Sequence, residues 1–380
     1  LAERAGIDPF EFRMLNRNEP GETTPMGLKI STCGLKECLE TVAQKLDWKG
    51  GTKKGKNRGI GMASLIHVGG GARIYRSDAS GVILKLDDFG NVYVFHGGVE
   101  MGQGLHAVLI QSVAEALGVM PDKVFINPTD TGTCPWDVGT HASRGAFMAG
   151  NATILAAEKL RIKIFELAEE LFPKEAEKNL KKYLSQNSGY EKPDFDIANA
   201  AKRDRFGLQE GYVFIKDAPQ EPWLRVDLGR LLRAAHFRPQ GRMLTVEAFY
   251  DPPNELPDNE RGFGNLSATY AFGTQGAEVE VDTETGEVKI LRMVAAHDVG
   301  RAINPILCAG QIEGGVHMGL GYALSEDFPC TNGEPDSLLL RDLGILKADQ
   351  TPPVEVILIE VADDVGGYGS KGVGEIGLVP

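Results

Sequence analysis

The residues best suited to chemistry stand in and beside glycine-rich turns. The chain of 380 residues has 47 glycines, many of them gathered in a few short stretches. His96-Gly97-Gly98-Val99-Glu100-Met101-Gly102-Gln103-Gly104-Leu105-His106 places glycines between an apolar run and a helical one. Such backbone can leave N–H groups facing outward, which suits an anionic or polar ligand. Gln103 can donate and accept hydrogen bonds beside it; the plainer alternative is a tight turn whose Gln103 merely caps the helix. Asp130-Thr131-Gly132-Thr133 and then Gly139-Thr140-His141-Ala142-Ser143-Arg144-Gly145 precede a long helical pattern. Their small hydroxyl residues suit a phosphate or a polar ring system, or they stop the helix, with Ser143 or Thr140 as its N-cap.

Two further stretches lie toward the C-terminal end. Ala296-His297-Asp298-Val299-Gly300-Arg301-Ala302-Ile303-Asn304-Pro305 leads to Gly310-Gln311-Ile312-Glu313-Gly314-Gly315. His297 has no second ligand at metal spacing and no His-Glu-x-x-His pattern around it, so it reads as a hydrogen-bonded structural residue. Gly366-Gly367-Tyr368-Gly369-Ser370-Lys371-Gly372-Val373-Gly374-Glu375-Ile376-Gly377 contains a formal Gly-x-Gly-x-x-Gly. A dinucleotide site needs a helix after that pattern and an acid about 20 residues on; eight residues follow Gly372, so that reading fails. What remains is Glu375, a carboxylate in a glycine-lined, largely apolar turn. Lost solvation is expected to raise its pKa and suit it to general-base work, the alternative being an exposed loop glutamate.

The elements that must carry these turns follow from apolar spacing. A helix is expected over 1–16, broken near Asp8-Pro9, and another over 34–47, followed by a basic, glycine-rich linker over 49–58. A hairpin is expected from 82–86 and 92–95, a helix over 105–117, a short strand at 124–126 and a long helix over 146–172. Residues 173–206, rich in Lys, Glu and Asn, read as an exposed connector or insertion. A second hairpin is expected from 277–281 and 288–294, then an apolar helix over 307–324. The resulting division is a helical lead-in and linker (1–58), a first lobe (59–172), the connector (173–206) and a second lobe (207–380). Gly97–Gly104 and Gly314–Gly321 agree at six of eight positions, a possible repeat, although the second octet falls inside the expected helix.

Composition narrows the class. With 40 basic and 53 acidic residues the formal net charge is −13, which argues against general nucleic-acid binding. At 42% hydrophobic and 24% charged residues the chain is that of a globular protein. No apolar run reaches the roughly 18 residues of a membrane span, and the charged start carries no signal-peptide pattern. Five scattered cysteines without a Cys-x-x-Cys pair fit a reducing compartment, so a cytoplasmic location is expected.

In this order along the chain, the four glycine-rich segments resemble the large, molybdenum-binding subunit of the xanthine dehydrogenase/aldehyde oxidase family of molybdenum hydroxylases. The likeness runs from about Gly59 to Gly377, with a lead-in at Ala5-Gly6-Ile7-Asp8-Pro9-Phe10-Glu11-Phe12-Arg13. Its most specific signals are Gly-Gly-Val-Glu-Met-Gly-Gln-Gly and Lys371-Gly372-Val373-Gly374-Glu375. The resemblance implies an α+β fold, the molybdenum-cofactor-binding domain of the xanthine dehydrogenase type, with two similar hairpin, glycine-loop and helix lobes. It implies cofactor contacts at Gly102, Gln103, Gly104, Ala142, Ser143, Gln311, Gly372 and Gly374, no side-chain ligand to the metal, and Glu375 as the general base.

The implied reaction is hydroxylation of an aromatic N-heterocycle or an aldehyde with oxygen from water. The implied cofactor is molybdopterin with molybdenum, in its cytosine dinucleotide form, with FAD and [2Fe-2S] clusters on partner subunits. Met62 falls where purine-oxidising members place a pocket aromatic, so purine is not the favoured substrate. The family's N-terminal half, with its own Gly-Gly-Phe-Gly-Gly loop and pocket arginines, has no counterpart here, so that half is expected as a further partner of what reads as a C-terminal part. Two alternatives stay open: a reductive dehydroxylase of the hydroxybenzoyl-CoA reductase type, and a cofactor-free scaffold half-subunit.

Overall fold

The computed structural model describes residues 1–51, 55, 57–191 and 194–380. Residues 52–54 and 56, within the expected 49–58 linker, and 192–193, within the expected 173–206 connector, lie outside the described residues. The chain divides into two compact units, one built from Leu1–Asp78, Thr140–Phe147 and Pro252–Pro380, the other from Ala79–Gly139 and Met148–Asp251. These units interleave along the sequence, so they do not coincide with a division at 58, 172 and 206. The strand Arg58–His67, which opens the expected first lobe, pairs with Ala271–Val281 instead, far along the chain.

The first unit holds a four-stranded sheet in the order Arg58–His67, Ala271–Val281, Val288–Asp298, Val354–Ile359. Its central pair is the expected hairpin, turned at Asp282, whose carboxylate accepts the N–H groups of Glu284 and Thr285. Both strands run further than alternation suggested, to Ala271 and Asp298. Residues 271–276 and 293–298 are buried on both faces, and such strands lose the in-and-out pattern that marks a half-exposed one. Leu35, Cys38, Leu39 and Val42 of the helix Leu35–Lys45 pack with Phe272, Val294 and Ala296. Ile312, Val316 and Leu320 of the helix Pro305–Leu324 pack with Met293 and Ala295. Because side chains alternate along a strand, these two helices cover opposite faces of one sheet. Met62 joins the first of these clusters, as a core residue. The N-terminal helix breaks where expected, because the Asp8 carboxylate accepts the N–H groups of Phe10 and Glu11 and caps Pro9–Asn16.

The second unit holds a sheet in the order Val124–Ile126, Val92–His96, Ser80–Leu86, Thr245–Tyr250. Its connectivity matches that of the first sheet: a hairpin, a crossover containing a helix, then a strand parallel to the hairpin's second arm, with an antiparallel strand on the other edge. Parallel pairing needs such a crossover, supplied here by Leu105–Leu117 and in the first unit by Pro305–Leu324. The two lobes are therefore alike in sheet topology. The octets are not equivalent, since Gly97–Gly104 is a loop and Gly314–Gly321 lies within a helix.

The long helix spans Gly145–Gln186 and passes through Pro173. The expected stop at 172 and the exposed connector after it are thus corrected. Phe172, Ala176 and Leu180, spaced four apart, continue one buried stripe, and Ile197, Ala200, Ala201 and Phe206 enter the same core. Proline is read as a helix breaker, and the intervening Lys and Glu residues form the solvent side that hides this stripe. A small antiparallel sheet of Phe206–Gln209, Tyr212–Ile215 and Arg225–Asp227 completes the unit. Among the described residues no helix is long and apolar enough to cross a membrane.

Candidate functional site

The turn before the long helix carries backbone strain. Ala142 and Ser143 both adopt left-handed conformations, with φ of 50° and 55°. Non-glycine residues rarely do so, and the conformation persists only where its surroundings impose it. Arg144 supplies the constraint. Its side chain is buried, donating from Nε to Asp78 at 3.1 Å and from its guanidinium to the Asp78 carbonyl at 2.9 Å. Asn254 adds a hydrogen bond to the other Asp78 oxygen. Burial nevertheless raises the Asp78 pKa against the pull of Arg144.

The strained turn aims the Ser143 hydroxyl at the C-terminal glycine segment rather than at the helix. Ser143 Oγ accepts the Glu375 N–H at 2.9 Å and donates to Glu375 Oε2 at 3.1 Å, so it is not the helix cap that spacing alone allowed. Gly372 explains the closeness of the two segments, because a Cβ there would lie 2.3 Å from the Ser143 carbonyl oxygen. A Cβ built on Gly374 would stand 3.5 Å from Ser143 Oγ and 3.9 Å from Gln311 Oε1, which brings Gln311 to the same place. Gln311 is set there by the helix Pro305–Leu324, capped by the Asn304 side chain on the Leu307 N–H and opened by Pro305. Behind the glycine segment, Gln275 donates to the Gly377 carbonyl at 2.7 Å, and buried Lys371 pairs with buried Asp298 at 2.7 Å.

The structure therefore gathers Ala142, Ser143, Gln311, Gly372, Gly374 and Glu375 within the first unit. It adds His67, which sequence reasoning does not pick out. His67 Nε2 lies 3.2 Å from Ser143 Oγ and 3.4 Å from Glu375 Oε2. The available signal was a polar residue ending an apolar strand just before Gly69-Gly70-Gly71. Glu375 itself departs from expectation. Its side chain is 56% exposed, and its pKa is lowered rather than raised. The hydrogen bond from His67 is the largest cause; it outweighs partial desolvation together with the charge of His67, the Ser143 hydroxyl and the Ala142 N–H.

His297 is fully buried at the end of its strand, beside Gln275 at 3.3 Å, and burial pulls its pKa down to about 4. It is structural, as expected.

Gly102, Gln103 and Gly104 belong to the second unit. There the outward amides find a partner in their own loop, since the Glu100 carboxylate accepts the N–H groups of Gly102, Gly104 and His106 at 2.8 to 3.0 Å. Desolvation raises the Glu100 pKa, but these hydrogen bonds prevail and it is lowered overall. Gln103 donates to the Val99 carbonyl and accepts the Met101 N–H, closing the turn on itself; it does not cap the helix Leu105–Leu117, which has no side-chain cap.

A polar, amide-edged ring system fits the first-unit cluster. Among the described residues the Gln311 side chain and the N–H groups of Val373 and Gly374 have no hydrogen-bond partner, and the glycines leave backbone open to close approach. Such a set would hold a pterin by hydrogen bonds without any side-chain ligand to a metal.

Comparison with known proteins points to the same class of cofactor. Residues 37–352 match the molybdopterin cofactor-binding domain family. The whole chain aligns at 29% identity with 46% of the xanthine dehydrogenase molybdenum-binding subunit of Escherichia coli O157:H7. It aligns at 26% identity with 45% of the carbon monoxide dehydrogenase large chain of Hydrogenophaga pseudoflava. The chain thus spans less than half the length of these relatives. Quinoline 2-oxidoreductase from Pseudomonas putida 86 shares the fold over 99% of this chain and 45% of its own, with a TM-score of 0.78 at 22% identity. The aldehyde oxidoreductase of Desulfovibrio desulfuricans ATCC 27774 does so over 99% and 35%, with a TM-score of 0.73 at 25% identity. A strained serine turn, a glycine-rich carboxylate turn and a helix-borne glutamine thus come together in a chain that belongs to the molybdopterin cofactor-binding domain family.

Proposed function

We propose that this chain forms the cofactor-binding part of a molybdenum hydroxylase, in which Glu375 is the general base. The observation that carries this reading is the Ser143–Glu375 pair, held at 2.9 and 3.1 Å by a backbone strained at Ala142 and Ser143. When bound, the molybdenum–pterin group supplies two-electron redox chemistry and Lewis acidity. The chain supplies the rest. Gln311 and the N–H groups of Val373 and Gly374 hold the pterin edge, while Gly372 and Gly374 let the backbone approach it. Ser143 fixes the carboxylate by tying Oε2 and the Glu375 N–H together, which leaves Oε1 to accept the proton of the water-derived nucleophile. The lowered pKa keeps Glu375 ionised, and so ready to accept, throughout the neutral range.

The reading extends to a cytosine dinucleotide form of the cofactor, to partner subunits carrying [2Fe-2S] clusters and FAD, and to an aromatic N-heterocycle or an aldehyde as substrate. The names of the relatives, a molybdenum-binding subunit and a large chain, support an assembly of several subunits. The test is Glu375→Gln in the complete enzyme. Turnover is expected to disappear while molybdenum content, read by elemental analysis, stays near normal. Retained turnover would overturn the base assignment, and an assembly without molybdenum would overturn the cofactor reading.

A further inference from the structure

We propose that His67 is the positioning residue of Glu375, its Nε2–H directed at Ser143 Oγ and at Glu375 Oε2 so that the base is held in one orientation. The inference rests on the reading of Glu375 as the base and extends it to a residue outside the glycine turns. Hydrogen-bond arithmetic supports it. Ser143 has one hydroxyl proton, which it gives to Glu375 Oε2, and its oxygen already accepts the Glu375 N–H. An ionised carboxylate can only accept. His67 Nε2, within 3.2 Å of Ser143 Oγ and 3.4 Å of Glu375 Oε2, therefore has two acceptors in front of it and must carry the proton.

The position is prepared by the fold. His67 is the last residue of the strand Arg58–His67, in register opposite Ala271, and its side chain is 15% exposed against 56% for Glu375. A donor fixed on a paired strand, against a carboxylate on a glycine turn, restricts the orientations open to the more exposed partner. Two charged groups of the neighbouring segments are engaged elsewhere: Lys371 with Asp298 at 2.7 Å, and Arg144 with Asp78 at 3.1 Å, Asp78 also facing His141. Among the described residues, His67 and Ser143 are the side chains placed against the Glu375 carboxylate.

Infrared difference titration of the Glu375 carboxyl tests this on the complete protein. The band is assigned by its loss in Glu375→Gln. In His67→Ala the midpoint is expected to move up by about 1 pH unit, the usual effect of losing one charge-assisted donor. His67→Gln keeps a side-chain N–H and is expected to restore most of the original midpoint. Should His67→Ala not fold, His67→Phe preserves the ring without the donor and carries the same expectation. An unchanged midpoint in the donor-free variant would overturn the role of His67 and leave the base assignment standing. Turnover surviving in Glu375→Gln would end the base assignment and leave the His67 contact measurable.

Discussion

His297 shows how far a buried imidazole can be moved from its solution behaviour. Burial lowers its pKa from 6.5 to about 4, so the folded protein keeps it neutral where the unfolded chain would protonate it. His96, also fully buried, is lowered to about 4 by burial, with a smaller effect from His106. Between pH 6.5 and 4 the unfolded state therefore binds more protons than the folded one, and stability must fall as the pH falls through that window. Each histidine accounts for up to about 3 kcal/mol at the acid end. Urea unfolding of His297→Gln across this range is expected to show a shallower decline than the wild type; an equally steep one would mean that His297 is protonated in the folded protein. Glu375 acts in the same direction at lower pH. Its lowered pKa favours the folded state above the ordinary carboxylate range, and that contribution is lost on acidification through the folded value. The residue types at the candidate site were legible in the sequence. The sign of the Glu375 shift was not, because His67 lies more than 300 residues earlier in the chain.

The helix Gly145–Gln186 is the element that most separates sequence pattern from structure. Its apolar stripe continues past Pro173 through Ala176 and Leu180, within the core that also holds Trp223 and Leu231. Glu175 is drawn inward too, paired with Lys178 and Arg230 at 2.6 Å each. A solvated connector would tolerate truncation at Leu180. The packing instead predicts a loss of about 2–5 kcal/mol for Leu180→Ala, the usual cost of such a buried truncation. Chemical denaturation followed by tryptophan fluorescence reads this directly, and a change below about 0.5 kcal/mol would return the segment to the surface. By contrast, the helix Leu105–Leu117 keeps the bounds its spacing predicts, between Gly104 and Gly118, both left-handed.

For the molecule as a whole, net charge −13 and a sequence pI near 5.1 give an acidic surface at neutral pH. The chain is expected to pass unretained through immobilised heparin at physiological salt and to be least soluble near pH 5; retention on the polyanion would reveal a basic patch that the totals conceal. The sequence by itself determined the class of fold, the two hairpins, the order of the glycine turns and the family they belong to. These depend on local spacing and on residue types whose chemistry acts over a few neighbours. Only the tertiary structure decided the strand partner of Arg58–His67, the continuation of the long helix, the interleaving of the two units and the meeting of His67 with Ser143 and Glu375. Those depend on which distant surfaces exclude water together, a property no short window of sequence contains.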